Sequence, residues 1–146
     1  MDTVDKQILL LLSQNARATA SEIGRRVHLS VPAVAERIKK LEQTGIIEKY
    51  SVQINRAQQG YTLMAFVFVA LENSRAIEAF RKAVAAHPQV LECHHVAGPF
   101  DYLLKVLAKD TGDLENFLTN HLKKIEGIRS SNTTICLSTL KEETNL

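Results

Sequence analysis

The spacing of apolar residues changes once along the chain, and this change constrains the fold more than any other feature. In residues 3–45 apolar side chains recur at helical spacing, as Val4, Ile8 and Leu11 show. From Ile46 onward, several segments alternate between apolar and polar residues or are continuously apolar, which is typical of strands. We therefore predict a helical first part and a second part that mixes strands with helices.

The first part contains signals for three short helices. An apolar stripe is followed by TASE, residues 19–22, which has the form of a capping box. After a break at residues 28–29, Ser30 can cap a third helix that accepts Pro32 in its first turn. Gly45 is the usual left-handed terminator, so the third helix is predicted to end just before it.

A β-element is predicted after the third helix. The segment IIEKYSVQIN, residues 46–55, alternates with a period of two and predicts a strand or a short hairpin. Three short helices followed by such an element are the arrangement of a winged helix-turn-helix. RAQQG, residues 56–60, is polar and ends in glycine. We place a domain boundary after it, which gives domains at residues 1–60 and 61–146.

The two sides of the third helix differ in chemistry. At 100° per residue, four apolar residues fall on one side: Val31, Val34, Ile38 and Leu41. The outward side begins with the small Pro32 and Ala33, so the helix start can approach a DNA groove closely. Arg37, at the border, and Lys40 lie further along, where phosphates or a guanine edge come within reach. The residues predicted to contact DNA are Arg25, Arg26, Ser30, Val31, Pro32, Ala33, Glu36, Arg37, Lys39, Lys40 and Lys49.

Charge is unevenly distributed along the chain, which favours an anionic partner for the first part. Residues 1–60 carry nine Lys and Arg against six Asp and Glu, whereas residues 61–146 carry nine against ten. The imbalance is small, and many enzymes share it. Taken alone, a basic amphipathic helix with a Gly stop is usually an ordinary solvated face. The capped helix and tight turn before it, and the β-element after it, favour DNA binding here.

Composition argues against several other classes of protein. With 45% hydrophobic and 23% charged residues, the chain has the balance of a soluble globular protein. Apolar runs such as residues 8–12 are far too short to span a membrane, and the N-terminus lacks the features of a signal peptide. Two cysteines, Cys93 and Cys136, are too few for a disulfide framework. We expect a protein of the reducing cytoplasm with no cofactor and no membrane partner.

The second part contains signals for six elements in the order strand, helix, strand, strand, helix, strand. TLMAFVFVAL, residues 62–71, is the first strand, and an amphipathic helix over residues 74–87 ends at Pro88. VLECHHVA and DYLLKVLAKD form a strand pair around a Gly-Pro turn, and SSNTTICLSTL is the last strand. The order βαββαβ predicts a ferredoxin-like α+β domain.

The first strand of this domain is apolar on both sides, because Ala65 and Val67 alternate with Met64, Phe66 and Phe68. Two helices on one face of the sheet would leave the other face open. An open apolar face of this size is unusual on a monomer. We therefore predict that a second copy of the chain covers it, as a homodimer.

Three segments together resemble the Lrp/AsnC, or feast/famine, family of transcription regulators. DTVDKQILLLLSQNAR resembles the opening helix of the family, and SEIGRRVHLSVPAVAERIKKLEQTGIIEKY resembles its helix-turn-helix and wing. VAGPFDYLLKV resembles the Gly-x-x-Asp-Tyr turn of the family's effector domain. The resemblance covers essentially the whole chain. It implies a winged helix-turn-helix DNA-binding domain followed by a ferredoxin-like, RAM-type domain for effector binding and oligomerisation.

The resemblance also implies partners. Family members bind double-stranded DNA, dimerise sheet to sheet and commonly assemble into octamers, and small amino acids bind near this turn at protomer interfaces. An acid such as Asp101 would hold the ammonium group of the ligand. The implied effector residues are Gly98, Pro99, Phe100, Asp101, Tyr102, Ser131, Thr133 and Thr134, with Asn132 beside them. From the residues alone, Gly98-Pro99 is equally a hairpin turn and Asp101 a turn residue.

Other chemistry has weaker support in the sequence. The segment around Cys93, with His87, His94 and His95, suggests a metal site, but His94 would point away from its strand neighbours and no Cys-x-x-Cys pair supports them. Sirohaem decarboxylases resemble the same two-domain architecture, with His94 or His95 against a tetrapyrrole. The basic residues of the third helix argue against that enzyme. An architectural DNA-binding protein without an effector stays open.

Overall fold

The computed structural model describes residues 1–143, which form two compact units. Of the described residues, one unit contains residues 1–54 and residue 143, and the other contains residues 55–142. Residues 55–60, which the sequence prediction assigned to the first domain, thus pack with the second unit. The last three residues of the predicted second domain lie outside the described part. None of the helices formed by residues 1–143 has the length and apolar character needed to span a membrane.

Three helices form the first unit, as predicted: α1 Thr3–Gln14, α2 Ala20–Val27 and α3 Val31–Gln43. Asp2 and Asp5 form a capping box at the start of α1, and Thr19 and Glu22 form the predicted one at the start of α2. The hydroxyl of Ser30 caps α3. These side chains pair amide groups that a first helical turn leaves without partners, and so they fix where each helix begins.

The three helices enclose one small apolar core. Its buried members are Ile8, Leu12, Ile23, Val27, Val34 and Leu41. Each such side chain contributes about 1.5–3 kcal/mol when it is fully removed from water. The apolar stripes predicted from the helical spacing therefore face this core, and the polar sides of the helices face solvent.

The turn between α2 and α3 is tight because of two special positions. His28 adopts the left-handed conformation, with φ of 57°, and ends α2 at the predicted break. A Cβ atom on Gly24 would lie 2.6 Å from the carbonyl oxygen of Leu29, closer than real contacts allow. The absence of a side chain at Gly24 therefore lets the turn fold back against α2.

The strand or hairpin predicted for residues 46–55 does not form. Gly45 ends α3 in the predicted left-handed conformation, with φ of 72°, but the residues that follow it form no strand. Val52 and Ile54 are 80% and 52% exposed. A strand is stable only when its backbone pairs with a neighbour and its apolar side chains are covered. The predicted strand is therefore wrong for these residues, whereas the predicted helix-turn-helix is confirmed.

The second unit is a four-stranded antiparallel sheet with helices. Its strands are β1 Leu63–Leu71, β2 Val90–His95, β3 Tyr102–Ala108 and β4 Ile128–Cys136. Its helices are α4 Ile77–Ala86 and α5 Thr111–Asn116, and α5 continues as a π turn, Phe117–His121, and a 3₁₀ turn, Leu122–Lys124. The strand order is β2-β3-β1-β4. This order and the element sequence confirm the predicted ferredoxin-like α+β fold.

The two faces of this sheet have different surroundings. Alternate side chains such as Val67, Leu104 and Val106 are fully buried and pack in one core with residues of α4 and α5. On the opposite face, Phe66 and Phe68 are only partly buried and do not belong to that core. We call this the open face. Since successive side chains of a strand alternate between faces, a strand that is apolar throughout must present apolar residues on both, as predicted.

Candidate functional site

The outward side of α3 begins with small side chains and continues with basic ones. Pro32, Glu36, Lys39 and Lys40 are exposed, and Ala33 is half-buried. These residues are brought together as the sequence predicted, on the side of α3 opposite Val34 and Leu41. The only difference at the helix start is Val31, which was placed on the apolar side but is 48% exposed. Val31 is the first residue of α3, and the first side chain of the helix to be buried in the core is that of Val34.

Arg37 lies on the same helix but points to α1. Its Nη1 atom lies 2.7 Å from Oδ2 of Asp2 and 2.7 Å from Oδ1 of Asp5. Backbone amides of the capping box, followed by the Arg37 guanidinium, lower the pKa of both carboxyl groups. The two carboxylates in turn raise the pKa of Arg37. The guanidinium that was predicted to reach a phosphate or a guanine is thus engaged within the first unit.

The other predicted DNA contacts are exposed and point away from the core. Arg25 and Arg26 lie on the last turn of α2, and Nε of Arg25 lies 3.5 Å from the carbonyl oxygen of Ser21. Lys49 is exposed in the segment after α3. Within residues 1–143, these three cations form no ion pair, and neither do Lys39 and Lys40. They are available to bind an anion.

The predicted effector turn joins β2 to β3 and is fastened to β1. Oδ2 of Asp101 accepts a hydrogen bond from the amide of Leu71 at 2.7 Å, and the Asp101 amide donates to the carbonyl oxygen of Val69 at 2.9 Å. Gly98 has φ of 145° and, like Pro99, is exposed. Phe100 is half-buried, with its ring 5.5 Å from that of Phe68. Asp101 therefore shapes the turn with the carboxylate that was expected to bind a ligand.

Tyr102 is not on the surface of this turn. Its side chain is 2% exposed and lies in the core, with the ring centroid 4.8 Å from Phe80 and 4.9 Å from His95. Its hydroxyl accepts a hydrogen bond from Nε of Arg81 at 2.9 Å. Arg81 is exposed and comes from α4, so the sequence pattern gave no sign that it would meet Tyr102.

The predicted polar residues of β4 fall on both faces of the sheet. Ser131 is paired with Val69, and Thr133 with Val67, so both lie on the face covered by the helices. Thr134 is paired with Phe66 and lies on the open face with Asn132. Because residues one position apart point to opposite sides of a strand, these side chains cannot line one pocket of a single chain.

Two family profiles account for most of the chain. Residues 1–42 match the AsnC-type helix-turn-helix domain, and residues 64–146 match the Lrp/AsnC ligand binding domain. The chain belongs to the Lrp/AsnC family of transcription regulators. The resemblance seen in the sequence is thereby confirmed, and so are the order of its two domains and its role in transcription regulation.

Relatives of this Lrp/AsnC regulator match along most of their length. LrpB, an HTH-type transcriptional regulator of Bacillus subtilis, is 38% identical over 84% of this chain and 82% of LrpB. The HTH-type transcriptional regulator FL11 of Pyrococcus furiosus is 30% identical over 100% of this chain and 95% of FL11. A solved structure of the transcriptional regulator NMB0573 of Neisseria meningitidis, in complex with L-methionine, has a TM-score of 0.97 at 31% identity and covers 100% of this chain and 96% of that one. These relatives carry the names of regulators, so they give no support to the decarboxylase interpretation.

The sequence did not reveal a charged cluster on the open face of this Lrp/AsnC regulator. Lys105 is 8% exposed, and its Nζ donates to Oε1 of Glu92 at 3.1 Å and to Oε1 of Glu142. Glu142 also pairs with Arg56 at 3.2 Å. Burial opposes the charge on Lys105, but the hydrogen bonds that it donates to both carboxylates outweigh burial and raise the lysine pKa. A lysine within the apolar run YLLKVLA was the signal for this cluster.

The histidines proposed as metal ligands point in different directions in this regulator. His94 lies 3.1 Å from Glu92, whereas His95 stacks on Tyr102 on the other face of the sheet. Burial raises the pKa of the Cys93 thiol, and the charge of Arg81 opposes this shift. Across residues 1–143, no three His, Cys, Asp or Glu side chains converge as metal ligands would.

Proposed function

We propose that this Lrp/AsnC regulator binds double-stranded DNA through α3, with the start of the helix in the major groove. The observation that carries this proposal is the outward surface of α3, where small exposed Pro32 precedes exposed Lys39 and Lys40. A helix with a slim start can lie close to base edges, while cations one or two turns further on reach phosphates. Arg25 and Arg26 on α2, together with Lys49, then contact the flanking backbone.

DNA binding is tested with the full chain and the DNA upstream of its own gene. We expect binding that weakens steeply between about 50 and 200 mM salt, because phosphate contacts release counterions. A fragment of unrelated sequence serves as the reference for specificity. Absence of binding at the lower salt concentration would contradict the proposal.

We also propose that a second copy of the chain covers the open face of the sheet, and that dimers assemble further into octamers, as the family resemblance implies. The open face carries partly buried aromatic side chains that no helix covers. A two-fold dimer would present two copies of α3 to paired half-sites on DNA. The dimer is therefore the form that binds DNA. As a regulator of transcription, the protein would act in the cytoplasm.

The open face is tested by Phe68→Glu, because Phe68 lies on it and pairs with Leu103 and Asn132. Ile135→Glu is the matched control, since Ile135 is 45% exposed at the edge strand and shares the opposite face with Ala65. In sedimentation at micromolar concentration we expect a dimer or larger assembly for the wild type and the control, and dissociation for Phe68→Glu. A wild type that sediments as a monomer would overturn this assignment.

Finally, we propose that a small amino acid binds near the turn at residues 97–102 and alters assembly or DNA affinity. The relative from Neisseria meningitidis is a complex with L-methionine, which makes L-methionine the first compound to test. A ligand shifts an equilibrium only as far as its affinities for the two states differ. DNA binding and sedimentation are therefore measured with and without L-methionine and then each other amino acid. DNA binding that responds to none of them would identify an architectural, effector-free regulator instead.

A further inference from the structure

The contact between Arg37 and the start of α1 has an unusual arrangement for a residue on a recognition helix. A single nitrogen, Nη1 of Arg37, lies 2.7 Å from a carboxylate oxygen of Asp2 and 2.7 Å from one of Asp5. Asp5 and Arg37 are partly buried there, with side chains 15% and 34% exposed. Hydrogen bonds in which both partners are charged are the strong ones, and they are directional.

The two carboxylates are themselves held in place by the helix they cap. Oδ1 of Asp2 accepts from the Asp5 amide at 2.8 Å, and Oδ2 of Asp5 accepts from the Asp2 amide at 2.9 Å. This reciprocal box brings two negative charges together. Hydrogen bonds from the Asp2 amide and from Arg37 lower the pKa of Asp5, and the charge of Asp2 opposes that shift. The guanidinium of Arg37 compensates both charges at once. Arg37 could turn Nη1 toward a phosphate or a base only by giving up both bonds and leaving the two carboxylates uncompensated.

Apolar burial stabilises the packing of α3 on α1, but its free energy carries no directional component of its own. The core between the two helices is formed by residues such as Ile8 and Val34. The bonds from Arg37 act across this pair of helices, between partners 35 and 32 positions apart in the sequence. If they hold α3 in one rotation about its axis, they also set the direction in which Pro32 and Lys40 point.

We infer that Arg37 is a positioning residue that orients α3 through Asp2 and Asp5, and that it does not itself contact DNA. The inference rests on the proposed DNA-binding function and changes the role predicted for Arg37 from the sequence. The specificity of α3 then depends on two acidic residues at the start of α1, outside the recognition helix itself.

This role predicts that Asp5→Asn changes DNA affinity in the direction opposite to that expected from net charge alone. Replacing Asp5 by asparagine removes a negative charge from a DNA-binding unit, which by itself should strengthen binding to the polyanion. If Arg37 positions α3, Asp5→Asn should instead weaken binding to specific DNA, because it loosens the same contact that Arg37→Gln removes.

The experiment compares the full-length wild type with Arg37→Gln, Asp5→Asn, the Arg37→Gln/Asp5→Asn double variant and Lys40→Gln as a phosphate-contact control. Affinity for the upstream DNA is measured at several salt concentrations, and melting curves verify that each variant is folded. We expect Arg37→Gln and Asp5→Asn each to lower specific affinity by about tenfold, the order of one lost base contact. The double variant should be no worse than either single variant, because both remove one interaction. The salt slope should stay at the wild-type value for Arg37→Gln and fall by about one for Lys40→Gln.

Two results would overturn the positioning role while leaving DNA binding intact. One is stronger DNA binding by Asp5→Asn together with a reduced salt slope for Arg37→Gln, which would place the guanidinium on a phosphate. The other is unchanged specific affinity in both variants. If Arg37→Gln does not fold, Arg37→Lys, which keeps the charge, should retain part of the affinity, and full loss would count against the role. A wild type that binds no DNA would instead reject the proposed function together with this inference.

Discussion

The carboxylate of Asp101 accepts a hydrogen bond from the backbone amide of Leu71 at 2.7 Å, and so ties the β2–β3 turn to the end of β1. The Asp101 amide returns a bond to the carbonyl oxygen of Val69, and its own carbonyl oxygen accepts from the amide of Val96. Three bonds from one residue thus shape the turn that the family resemblance connects with effector binding. Asp101 could therefore serve the stability of the turn, the binding of a ligand, or both. Different substitutions of Asp101 distinguish these two roles.

Asp101→Ala and Asp101→Asn should have different effects on stability. Alanine leaves the part-buried Leu71 amide without an acceptor, which costs about 1–3 kcal/mol. Asparagine keeps an acceptor oxygen and should cost less than alanine. Denaturant unfolding of both variants measures this difference. If Asp101 also holds the ammonium group of an amino acid, Asp101→Asn should stay folded yet lose the effector response, and an unchanged response would remove Asp101 from the ligand site.

Two glycines with nearly the same backbone conformation should differ in their tolerance of alanine. Gly60 and Gly127 have φ of 86° and 89°, but only at Gly127 is the space occupied, since an added Cβ would lie 2.3 Å from Cβ of Ala76. Gly60→Ala should cost about 1–2 kcal/mol for the left-handed conformation. Gly127→Ala should cost about 1–3 kcal/mol more, because the backbone must shift to relieve the overlap. Equal unfolding midpoints for the two variants would show that this contact relaxes freely.

The cluster around Lys105 should make stability depend on pH in the acidic range. Hydrogen bonds from His94 and Lys105 lower the pKa of Glu92, and those from Lys105 and Arg56 lower the pKa of Glu142. The stabilisation is therefore complete above the ordinary value of 4.5 and is lost as the pH falls through the lowered values. Glu92→Gln should remove part of this dependence.

The effect of Glu92 should be modest because its side chain is 47% exposed, which limits the contribution to below about 1 kcal/mol. The free energy of unfolding is measured at pH 6 and at a series of values below about 4.5, where carboxyl groups titrate. Glu115→Gln, which replaces an exposed carboxyl group of α5, is the control. A pH profile for Glu92→Gln that coincides with the wild type would contradict a stabilising role for the cluster.

His87 should produce a second, separate pH dependence near neutrality. Burial, followed by repulsion from His121, lowers the pKa of His87, while the nearby Asp113 opposes the shift. The ring centroids of His87 and His121 are 4.6 Å apart. Because the folded state favours the neutral imidazole, this stability is complete above the ordinary pKa of 6.5 and decreases as the pH falls from 6.5 to the lowered value.

Two substitutions test the histidine pair. His87→Gln should flatten the decrease in unfolding free energy below pH 6.5. His121→Gln should leave His87 in place and raise its pKa toward the ordinary value, which an NMR titration of the imidazole detects directly. An imidazole at His87 that titrates identically in the wild type and in His121→Gln would show that the two rings are not coupled.

Local signals predicted most of the architecture correctly. The capping residues Thr19, Glu22 and Ser30 and the terminator Gly45 act within one or two turns of the chain, so their partners are fixed by sequence spacing alone. The alternation of β1 likewise follows from the pleat of the strand. The strand predicted for residues 46–55 is wrong. A strand forms only beside a second strand to which its backbone can hydrogen-bond, and an alternating sequence does not show whether one is present.

By itself, the sequence determined the helices, the four strands of the sheet, their order and the apolar side of each helix, because caps, terminators and periodicity are properties of neighbouring residues. Only the tertiary structure decided which polar side chains form hydrogen bonds or ion pairs with distant segments of the chain. Arg37 meets Asp2 and Asp5 across more than 30 residues, and Asp101 meets Leu71 across 30. A charged side chain looks the same in the sequence whether it is solvated or paired, and its partner is set by the packing of distant segments.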